Sequence, residues 1–324
     1  MNGLWLADGR LSHRDDLRAP PKLSGEARIR VLVAGICGTD LALVEGLYPF
    51  EGVPGHEFVG VVEDGPPHLA GRRVVGEINV ACKTCPECLA GLAKHCRARS
   101  ALGIRARNGA FAEYLSLPID NLHVVPDAVA TDDAVFVEPL AAALDVLEHV
   151  DIERGEKVLV VGTGRLGQLV CRVLANHGAR VYAVGRDARK LARLQGIVSD
   201  TLDAESLEPR SFRVAVECTG NPAALPIAQR ALLPCGTLVV KSTCAGTPVL
   251  DLSSLVVDEL TLVGSRCGPF DAALRLLENG RLDLRSIVDA RFPLRAGVEA
   301  FACSRRAGVL KVLVDVDARG GRAG

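Results

Sequence analysis

The pattern of hydrophobic and polar residues changes near residue 150. Upstream, segments such as ARIRVLVAGICGTD and HEFVGVVEDG alternate apolar with polar positions and are separated by Gly and Pro. Alternation with a period of two is typical of half-buried β-strands. The first part of the chain is therefore predicted to form a compact β-rich domain.

Downstream, apolar runs alternate with segments of helical period. Strands are predicted at KVLVV, ARVYAV, FRVAVEC, GTLVVKS and LTLVGS, and helices at LGQLVCRVLANHG, ARKLARLQ, ALPIAQRALL and DAALRLLENG. This alternation predicts a parallel sheet with helices on both faces. The tail is predicted as a strand (IVDARFPL), a helix (AGVEAFACSRRAG), a strand (LKVLVDV) and a disordered end, ARGGRAG.

Composition narrows the class of protein. The chain has 324 residues, is 48% hydrophobic, and carries 38 basic and 39 acidic residues for a formal net charge of −1. This balance does not fit a nucleic-acid-binding surface, and no apolar run approaches the roughly 18 residues that span a bilayer. The N-terminal segment also lacks the pattern of a signal peptide. We expect a cytoplasmic protein of two domains.

Four of the eleven cysteines lie in the segment CKTCPECLAGLAKHC. Two-residue gaps let successive thiolates converge on one ion, and four thiolates suit a closed, structural zinc site. An iron–sulfur cluster is one alternative, although bacterial ferredoxins close the motif with a three-residue gap and a proline; a metal-free thiol lobe is another. A disulfide framework is typical of small secreted domains. The predicted structural zinc ligands are Cys82, Cys85, Cys88 and Cys96.

The segment VGTGRLG has the G-x-G-x-x-G arrangement. It follows an apolar strand and begins a helix, which is the context of a dinucleotide-binding turn. The diphosphate of the cofactor would lie on the N–H groups at the helix N-terminus. A glycine-rich connection without a ligand is the alternative. The predicted cofactor-binding residues here are Gly162, Gly164, Arg165, Leu166 and Gly167.

The end of the second predicted strand bears on which dinucleotide binds. NAD-dependent enzymes usually carry an acidic residue there for the ribose hydroxyls. In this chain Gly185 takes that position, and Arg186 follows, with Lys190 nearby. Cationic side chains attract a 2′-phosphate, so the sequence favours NADP(H) over NAD(H). In the alternative, Arg186 and Lys190 are solvated helix residues, and Asp187 is either a helix N-cap or a ribose ligand.

Candidate ligands for a second metal are scattered along the first half. GICGTD supplies Cys37, GHE supplies His56 and Glu57, and VEPL supplies Glu138. A thiolate, an imidazole and a carboxylate would make a three-ligand zinc site with one open position. Pro139 is expected at the first position of a helix, with Glu138 extended before it. A lone Cys or His is also common in a core, and no spacing rule joins these positions.

Five motifs in order, GICGTD, VPGHEFVGVV, the four-cysteine segment, VEPL and VGTGRLG, resemble the zinc-dependent medium-chain alcohol dehydrogenases over nearly the whole chain. The resemblance implies an α/β protein, with a GroES-like catalytic domain (residues 1–146 and 285–324) and an inserted Rossmann domain (residues 147–284). It makes Cys37, His56 and Glu138 the catalytic zinc ligands, so that two zinc ions bind each chain. A Glu before Pro is similar to the sorbitol, threonine and glucose dehydrogenase branch.

The resemblance also implies further roles. Asp40 would orient the ring of His56. Ala42 stands where some members have a relay histidine, so the proton would leave through the cofactor ribose or water. Tyr48 and Phe50 are candidates for lining the substrate pocket. The remaining implied roles are proton transfer by Thr39, metal binding or tuning by Glu57, and nicotinamide contacts by Thr219 and Ser265.

The implied function is hydride transfer between NADP(H) and an alcohol/carbonyl pair: a polyol, sugar, secondary alcohol or aldehyde. The family resemblance implies a homodimer or homotetramer without nucleic-acid or membrane partners. One alternative is a zinc-independent enoyl or quinone reductase on the same fold, although that branch lacks the zinc ligands. A non-catalytic NADPH-binding protein is the other alternative.

Overall fold

The computed structural model describes residues 1–21, 23–47, 49–243 and 246–317. Tyr48 and the predicted disordered end, residues 318–324, lie outside the described residues. The strands are β1 (Gly3–Ala7), β2 (Arg10–Arg14), β3 (Glu26–Gly35), β4 (Glu57–Asp64), β5 (Arg73–Gly76), β6 (Asn79–Val80), β7 (Ser100–Ala101), β8 (Tyr114–Pro118), β9 (Leu122–Val124), β10 (Lys157–Val161), β11 (Arg180–Val184), β12 (Asp200–Leu202), β13 (Phe212–Glu217), β14 (Leu232–Val240), β15 (Thr261–Gly264), β16 (Val288–Pro293) and β17 (Lys311–Asp315).

The α-helices are mostly short. They are α1 (Gly38–Val44), α2 (Pro86–Leu89), α3 (Thr131–Ala134), α4 (Val137–Leu144), α5 (Arg165–His177), α6 (Ala188–Ala192), α7 (Ala224–Arg230), α8 (Leu252–Val257), α9 (Phe270–Glu278) and α10 (Gly297–Ser304). Among the described residues, no helix is long and apolar enough to cross a membrane.

One compact unit, Pro139–Ala272, contains a six-stranded sheet of order β12-β11-β10-β13-β14-β15. Every pairing in it is parallel, as the sequence predicted. The strand order reverses between β10 and β13, where doubly wound folds bind their ligands. Four of the five residues of β10 are buried, because both faces of such a sheet are covered.

The other unit joins Met1–Glu138 to the chain from Ala273 onward. Its main sheet has the order β16-β17-β3-β4-β5-β9, and β8 also pairs with β3. Most of β3 alternates buried with partly exposed residues, as expected for a half-buried strand. In the core of this unit, the rings of Phe111 and Phe301 meet edge to face with centroids 5.3 Å apart. The C-terminal strand β17 is thus an interior strand beside β3.

The boundaries between the two units lie after Glu138 and after Ala272, whereas the sequence analysis placed the domain boundaries after residues 146 and 284. Helices α4 and α9 run across these two points, so no loop marks either boundary in the hydrophobic pattern. The predicted strands and helices of the α/β half are present, although α6 is shorter than its apolar pattern. The structure adds the β1–β2 hairpin, β12 and α8, which the sequence did not predict.

Candidate metal centres and cofactor site

The four predicted structural ligands converge on one point. We name Cys82, Cys85, Cys88 and Cys96 the cysteine cluster. Their four Sγ atoms all lie within 4.8 Å of one another. The distances are 3.4 Å for Cys85–Cys88, 3.5 Å for Cys82–Cys96, 3.7 Å for Cys85–Cys96 and 4.0 Å for Cys82–Cys88. All four cysteines are free of disulfides.

These distances fit a single tetrahedral ion. With zinc–sulfur bonds of about 2.3 Å, the sulfurs of a tetrahedron stand about 3.8 Å apart. An iron–sulfur cluster holds its thiolates around a core of several atoms, for which the cysteine cluster has no room. The Thr84 hydroxyl lies 3.5 Å from Cys82 Sγ, and its hydrogen bond, helped by backbone N–H groups, lowers the pKa of Cys82 to about 6. A lowered thiol pKa favours the thiolate, which is the metal-binding form.

A second group of possible ligands is assembled from distant segments. It consists of Cys37, His56 and Glu57, which are named here the mixed cluster. Each offers one ligand atom, and the three atoms lie within 4.8 Å of one another. Cys37 precedes α1, and its N–H donates to Asp40 Oδ2 at 2.8 Å. The other oxygen, Asp40 Oδ1, lies 3.3 Å from His56 Nδ1. Asp40 therefore positions two of the three predicted catalytic zinc ligands, Cys37 and His56.

His56 is presented with its second nitrogen available. Its Nδ1 and Asp40 Oδ1 are buried and make no other hydrogen bond within the described parts of the chain, so each is the other's natural partner. That contact assigns the proton to Nδ1 and leaves Nε2 for a metal. Burial acts to lower the pKa of His56, but the charges of Asp40 and Cys37 outweigh it and raise that pKa well above its usual range.

Glu138, the predicted third ligand, is not part of the mixed cluster, whose ligand atoms lie within 4.8 Å of one another. It is half-buried, and within the described residues its carboxylate has no hydrogen bond. Burial raises the pKa of Glu138 to about 7, with Glu57 and Asp40 adding to the effect and His56 opposing it. The positive charges of His56 and Lys311 partly offset the effect of burial, but neither forms an ion pair with this carboxylate among the described residues. The donor set of thiolate, imidazole and carboxylate fits zinc.

The local structure at Glu138 differs from the prediction. Helix α4 begins at Val137, so Glu138 lies inside its first turn and not in an extended segment before Pro139. The first four N–H groups of a helix have no partner within it, so a proline within the first turn removes no hydrogen bond. The sequence argument placed the start of this helix too late.

Glu57 has a partner that the sequence did not reveal. Its carboxylate accepts a hydrogen bond from Lys311 Nζ on β17, and both residues are buried, at 1% and 3% exposure. The Lys311 ammonium also lies 5.3 Å from the centre of the Phe136 ring, a cation–π contact. A Cβ on Gly35 would stand 2.6 Å from Glu57 Oε2, so a glycine on β3 leaves room for this pair.

No sequence signal identified Lys311. In LKVLVDV, a lone lysine is expected to face outward from the strand. Only the pairing of β17 with β3 brings Lys311 beside Glu57. Thr39, the predicted proton-transfer residue, has its Oγ1 3.8 Å from Cys37 Sγ. The mixed cluster thus lies among Asp40, Lys311 and Thr39.

The glycine-rich turn has the geometry of a diphosphate site. Gly162 has φ +108°, and a Cβ there would meet Thr219 Cγ2 at 2.8 Å. A Cβ on Gly167 would stand 1.9 Å from Gly162 O, so only glycine allows α5 to pack so closely on the turn. In contrast, a Cβ on Gly164 would enter open space. Gly164 is the N-cap of α5, and that space is where a diphosphate would approach, beside Arg165 and Leu166 in the first helical turn.

At the end of β11, Arg186 is exposed and has no partner among the residues that the structure describes. Asp187 is the N-cap of α6 and accepts hydrogen bonds from the N–H groups of Arg189 (3.0 Å) and Lys190 (3.4 Å). The N-cap reading of Asp187 is thereby confirmed. Gly185 and Arg186 lie at the carboxyl edge of the parallel sheet, as Gly162 does.

The two predicted nicotinamide contacts follow other strands at the same edge. The Thr219 hydroxyl donates to Glu217 Oε1 at 2.6 Å. The Ser265 hydroxyl donates to Asp145 Oδ2 at 2.6 Å and accepts from Lys241 Nζ at 2.7 Å. Both hydroxyls therefore belong to internal hydrogen-bond networks of this unit.

Comparison with known proteins agrees with this geometry. The family model of the alcohol dehydrogenase GroES-like domain matches residues 23–127, and that of the zinc-binding dehydrogenase matches residues 166–279. L-threonine 3-dehydrogenase of Streptomyces coelicolor is 32% identical over 340 residues, which cover 97% of this chain and 96% of the relative. Erythritol/L-threitol dehydrogenase of Mycolicibacterium smegmatis is 30% identical, with 86% and 87% covered.

A solved structure is similarly close. The zinc-binding dehydrogenase of Sinorhizobium meliloti 1021, bound to NADP, has a TM-score of 0.90 and 27% identity, with 97% of this chain and 98% of that chain covered. The chain belongs to the zinc-dependent medium-chain alcohol dehydrogenase family. It is a zinc-dependent oxidoreductase of an alcohol/carbonyl pair that works with a nicotinamide cofactor. The predicted family, fold class and enzyme class are confirmed.

Proposed function

We propose that this oxidoreductase uses NADP(H) in preference to NAD(H). The observation that carries the proposal is the end of β11, where Gly185 replaces an acidic residue and the exposed Arg186 has no partner within the described residues. A guanidinium attracts a 2′-phosphate, which a carboxylate would repel. Lys190, at the start of α6, adds a second cation nearby. The NADP bound by the Sinorhizobium meliloti relative supports this choice.

We further propose two zinc ions per chain. The cysteine cluster would hold a structural ion, and Cys37, His56 and Glu138 would hold a catalytic one. When bound, the catalytic ion supplies a Lewis acid for the substrate oxygen. Glu57 would remain outside its ligand set, because Lys311 already binds its carboxylate.

The chain's own groups then orient the substrate and move its proton. Thr39 Oγ1 is the group we assign to accept the proton of the substrate hydroxyl. Because residue 42 is alanine, that proton leaves through the cofactor ribose or water. Thr219 and Ser265 would position the nicotinamide through their backbone, since both hydroxyls are engaged internally.

The substrate we propose is a small polar alcohol, such as a polyol or a hydroxy amino acid. The relatives are named for L-threonine and for erythritol and L-threitol. A screen of polyols, sugars, hydroxy amino acids, aldehydes and secondary alcohols with both cofactors tests this class.

We also propose a homo-oligomer, a dimer or tetramer, in the cytoplasm. The edge strand β15 and helix α8 together expose large apolar side chains, including Leu252, Val256, Val257 and Leu262. An exposed strand edge with an apolar patch favours pairing with a second copy. Light scattering should find an oligomer, and Val257→Asp should shift it toward monomer.

Arg186→Ala tests the cofactor choice. A charge-assisted hydrogen bond contributes about 1.5–3 kcal/mol, which is on the order of 10- to 100-fold in affinity. We expect the Kd for NADPH to rise by that factor and the Kd for NADH to stay nearly unchanged, by calorimetry. Arg189→Ala is the matched control, because Arg189 is exposed and lies 3.8 Å from Asp187. A wild-type enzyme that binds NADH more tightly than NADPH would contradict the proposal.

A further inference from the structure

We propose that Thr163 is a specificity-determining residue for the cofactor. Its side chain fills the space that the Cβ of an acidic residue at position 185 would need, and so keeps out the carboxylate that would select NAD(H). This inference rests on the proposed preference for NADP(H) and assigns part of that preference to the glycine-rich turn.

The backbone does not require glycine at position 185. Gly185 is not among the residues with a left-handed φ, so other residues could adopt its conformation. A Cβ there would stand 2.3 Å from Thr163 Oγ1, 2.9 Å from Thr163 Cγ2 and 3.2 Å from Leu191 Cδ2. Real Cβ atoms essentially never show contacts under 3.0 Å. The side chain of Thr163 is therefore what excludes a side chain at position 185.

Rotation of Thr163 cannot relieve both close contacts. Threonine carries two heavy atoms on Cβ, and these occupy two of the three staggered positions. Two of those positions face Gly185, so every rotamer leaves at least one of them filled. The Thr163 side chain is also buried, with 4% exposure. A residue with one heavy atom on Cβ could turn it into the third position.

The backbone of Thr163 is also held in place. Gln168 Nε2 donates to Thr163 O at 3.2 Å and to Lys190 O at 2.8 Å, which ties the turn to α6. Gln168 Oε1 accepts from Arg172 Nη1 at 2.7 Å. Gln168 and Arg172 are both buried, at 0% and 3% exposure. These hydrogen bonds hold the turn that carries Thr163 against α6, and the Gly162 N–H donates to Val184 O at 2.8 Å, directly before Gly185. Thr163 therefore cannot move away from Gly185 without breaking hydrogen bonds.

The test places Gly185→Asp in three backgrounds. Wild-type Thr163 and Thr163→Val keep both branches on Cβ, whereas Thr163→Ser keeps the hydroxyl and removes the second branch. We expect Gly185→Asp alone, and with Thr163→Val, to lower Tm and to weaken binding of both cofactors. With Thr163→Ser, we expect Tm to recover and NADH to bind at least about tenfold more tightly than to Gly185→Asp alone. Fluorescence titration gives both Kd values.

A second series, with Gly185→Ala in the same three backgrounds, separates sterics from charge. The proposal predicts that Thr163→Ser restores Tm in this series and that Thr163→Val does not. Equal Tm values across the series, or equal NADH affinity of Gly185→Asp in all backgrounds, would overturn the role of Thr163. A wild-type enzyme that prefers NADH would instead overturn the proposed cofactor choice, which the Tm comparison does not involve.

Discussion

The two metal-ligand groups of the same unit are built in opposite ways. The cysteine cluster comes from one short segment and uses four identical donors. The mixed cluster draws Cys37 from the start of α1 and His56 and Glu57 from the start of β4, with Glu138 on α4 nearby. The spacing within one segment is enough to assemble the cysteine cluster, whereas the mixed cluster needs the fold of the unit to bring distant segments together.

The two groups also differ in how their charges are compensated. In the cysteine cluster, Cys82 receives hydrogen bonds from Thr84 and from backbone N–H groups. In the mixed cluster, Asp40 faces His56 and Lys311 binds Glu57. We therefore expect loss of the metal from the cysteine cluster to lower the stability of the fold, and loss of the metal from the mixed cluster to lower the catalytic rate.

The largest expected effect separates chemistry from stability. His56→Ala should lower kcat by about a thousandfold or more, because a Lewis acid contributes several kcal/mol and each 1.4 kcal/mol is tenfold. The Kd for NADPH should stay near wild type, since the cofactor residues lie in the other unit, whereas Tm should fall by a few degrees because the buried Asp40 loses its partner. His68→Ala, at an exposed histidine, is the control. A His56→Ala variant that binds NADPH normally and keeps its kcat would show that the mixed cluster is not catalytic.

The converse change tests the cysteine cluster. Cys82→Ser should remove one of two zinc ions, measured by elemental analysis, and lower Tm by on the order of 5–10 °C, because a closed site contributes folding free energy. Turnover per folded chain should change little. The control is Cys235→Ser, at an exposed thiol. Full stability with loss of turnover would reverse the roles assigned to the two groups.

A smaller, pH-dependent effect is expected at Glu138 in zinc-stripped protein. The pKa of Glu138 is about 7 when folded, against an ordinary value of 4.5. Below the ordinary value the carboxyl is protonated in both states. As pH rises from the ordinary value of 4.5 to about 7, the unfolded state releases the proton while the folded state keeps it, so the free energy of unfolding falls by up to about 3 kcal/mol, and the loss is complete above about pH 7.

Glu138→Gln removes this titration. Its Tm should therefore fall less than that of wild type between about pH 5 and about pH 8. Glu148→Gln, at an exposed glutamate, is the matched control and should behave as wild type. Identical pH profiles for Glu138→Gln and wild type would show that the pKa of Glu138 is not raised in the folded protein.

The sequence predicted most of the α/β unit, because buried parallel strands and amphipathic helices leave strong patterns. It also predicted the convergence of Cys82, Cys85 and Cys88, since two-residue gaps constrain where thiolates point, with Cys96 joining them across a longer gap of seven residues. It did not predict β12 and α8. β12 has three residues, none of them buried, and α8 has no buried residue, so neither leaves a pattern of core-facing positions.

The mixed cluster was less accessible to sequence reasoning. Cys37 and His56 were named through family resemblance, and no periodicity joins them. Lys311 was missed because its role depends on a pairing between strands from opposite ends of the chain. The steric effect of Thr163 on position 185 was missed for a similar reason, since side-chain volumes in separate turns are not visible in a linear pattern.

The position of β17 has a consequence for the order in which the protein is made. The α/β unit is continuous in sequence, so its parallel sheet can form as soon as it has left the ribosome. The sheet that carries the mixed cluster needs β17, and Lys311 lies 254 residues after Glu57. Until that part of the chain is synthesised, β3 can pair with β4 and β8 but not with β17, and Glu57 lacks its cation. The unit that carries the mixed cluster is thus begun first and completed last.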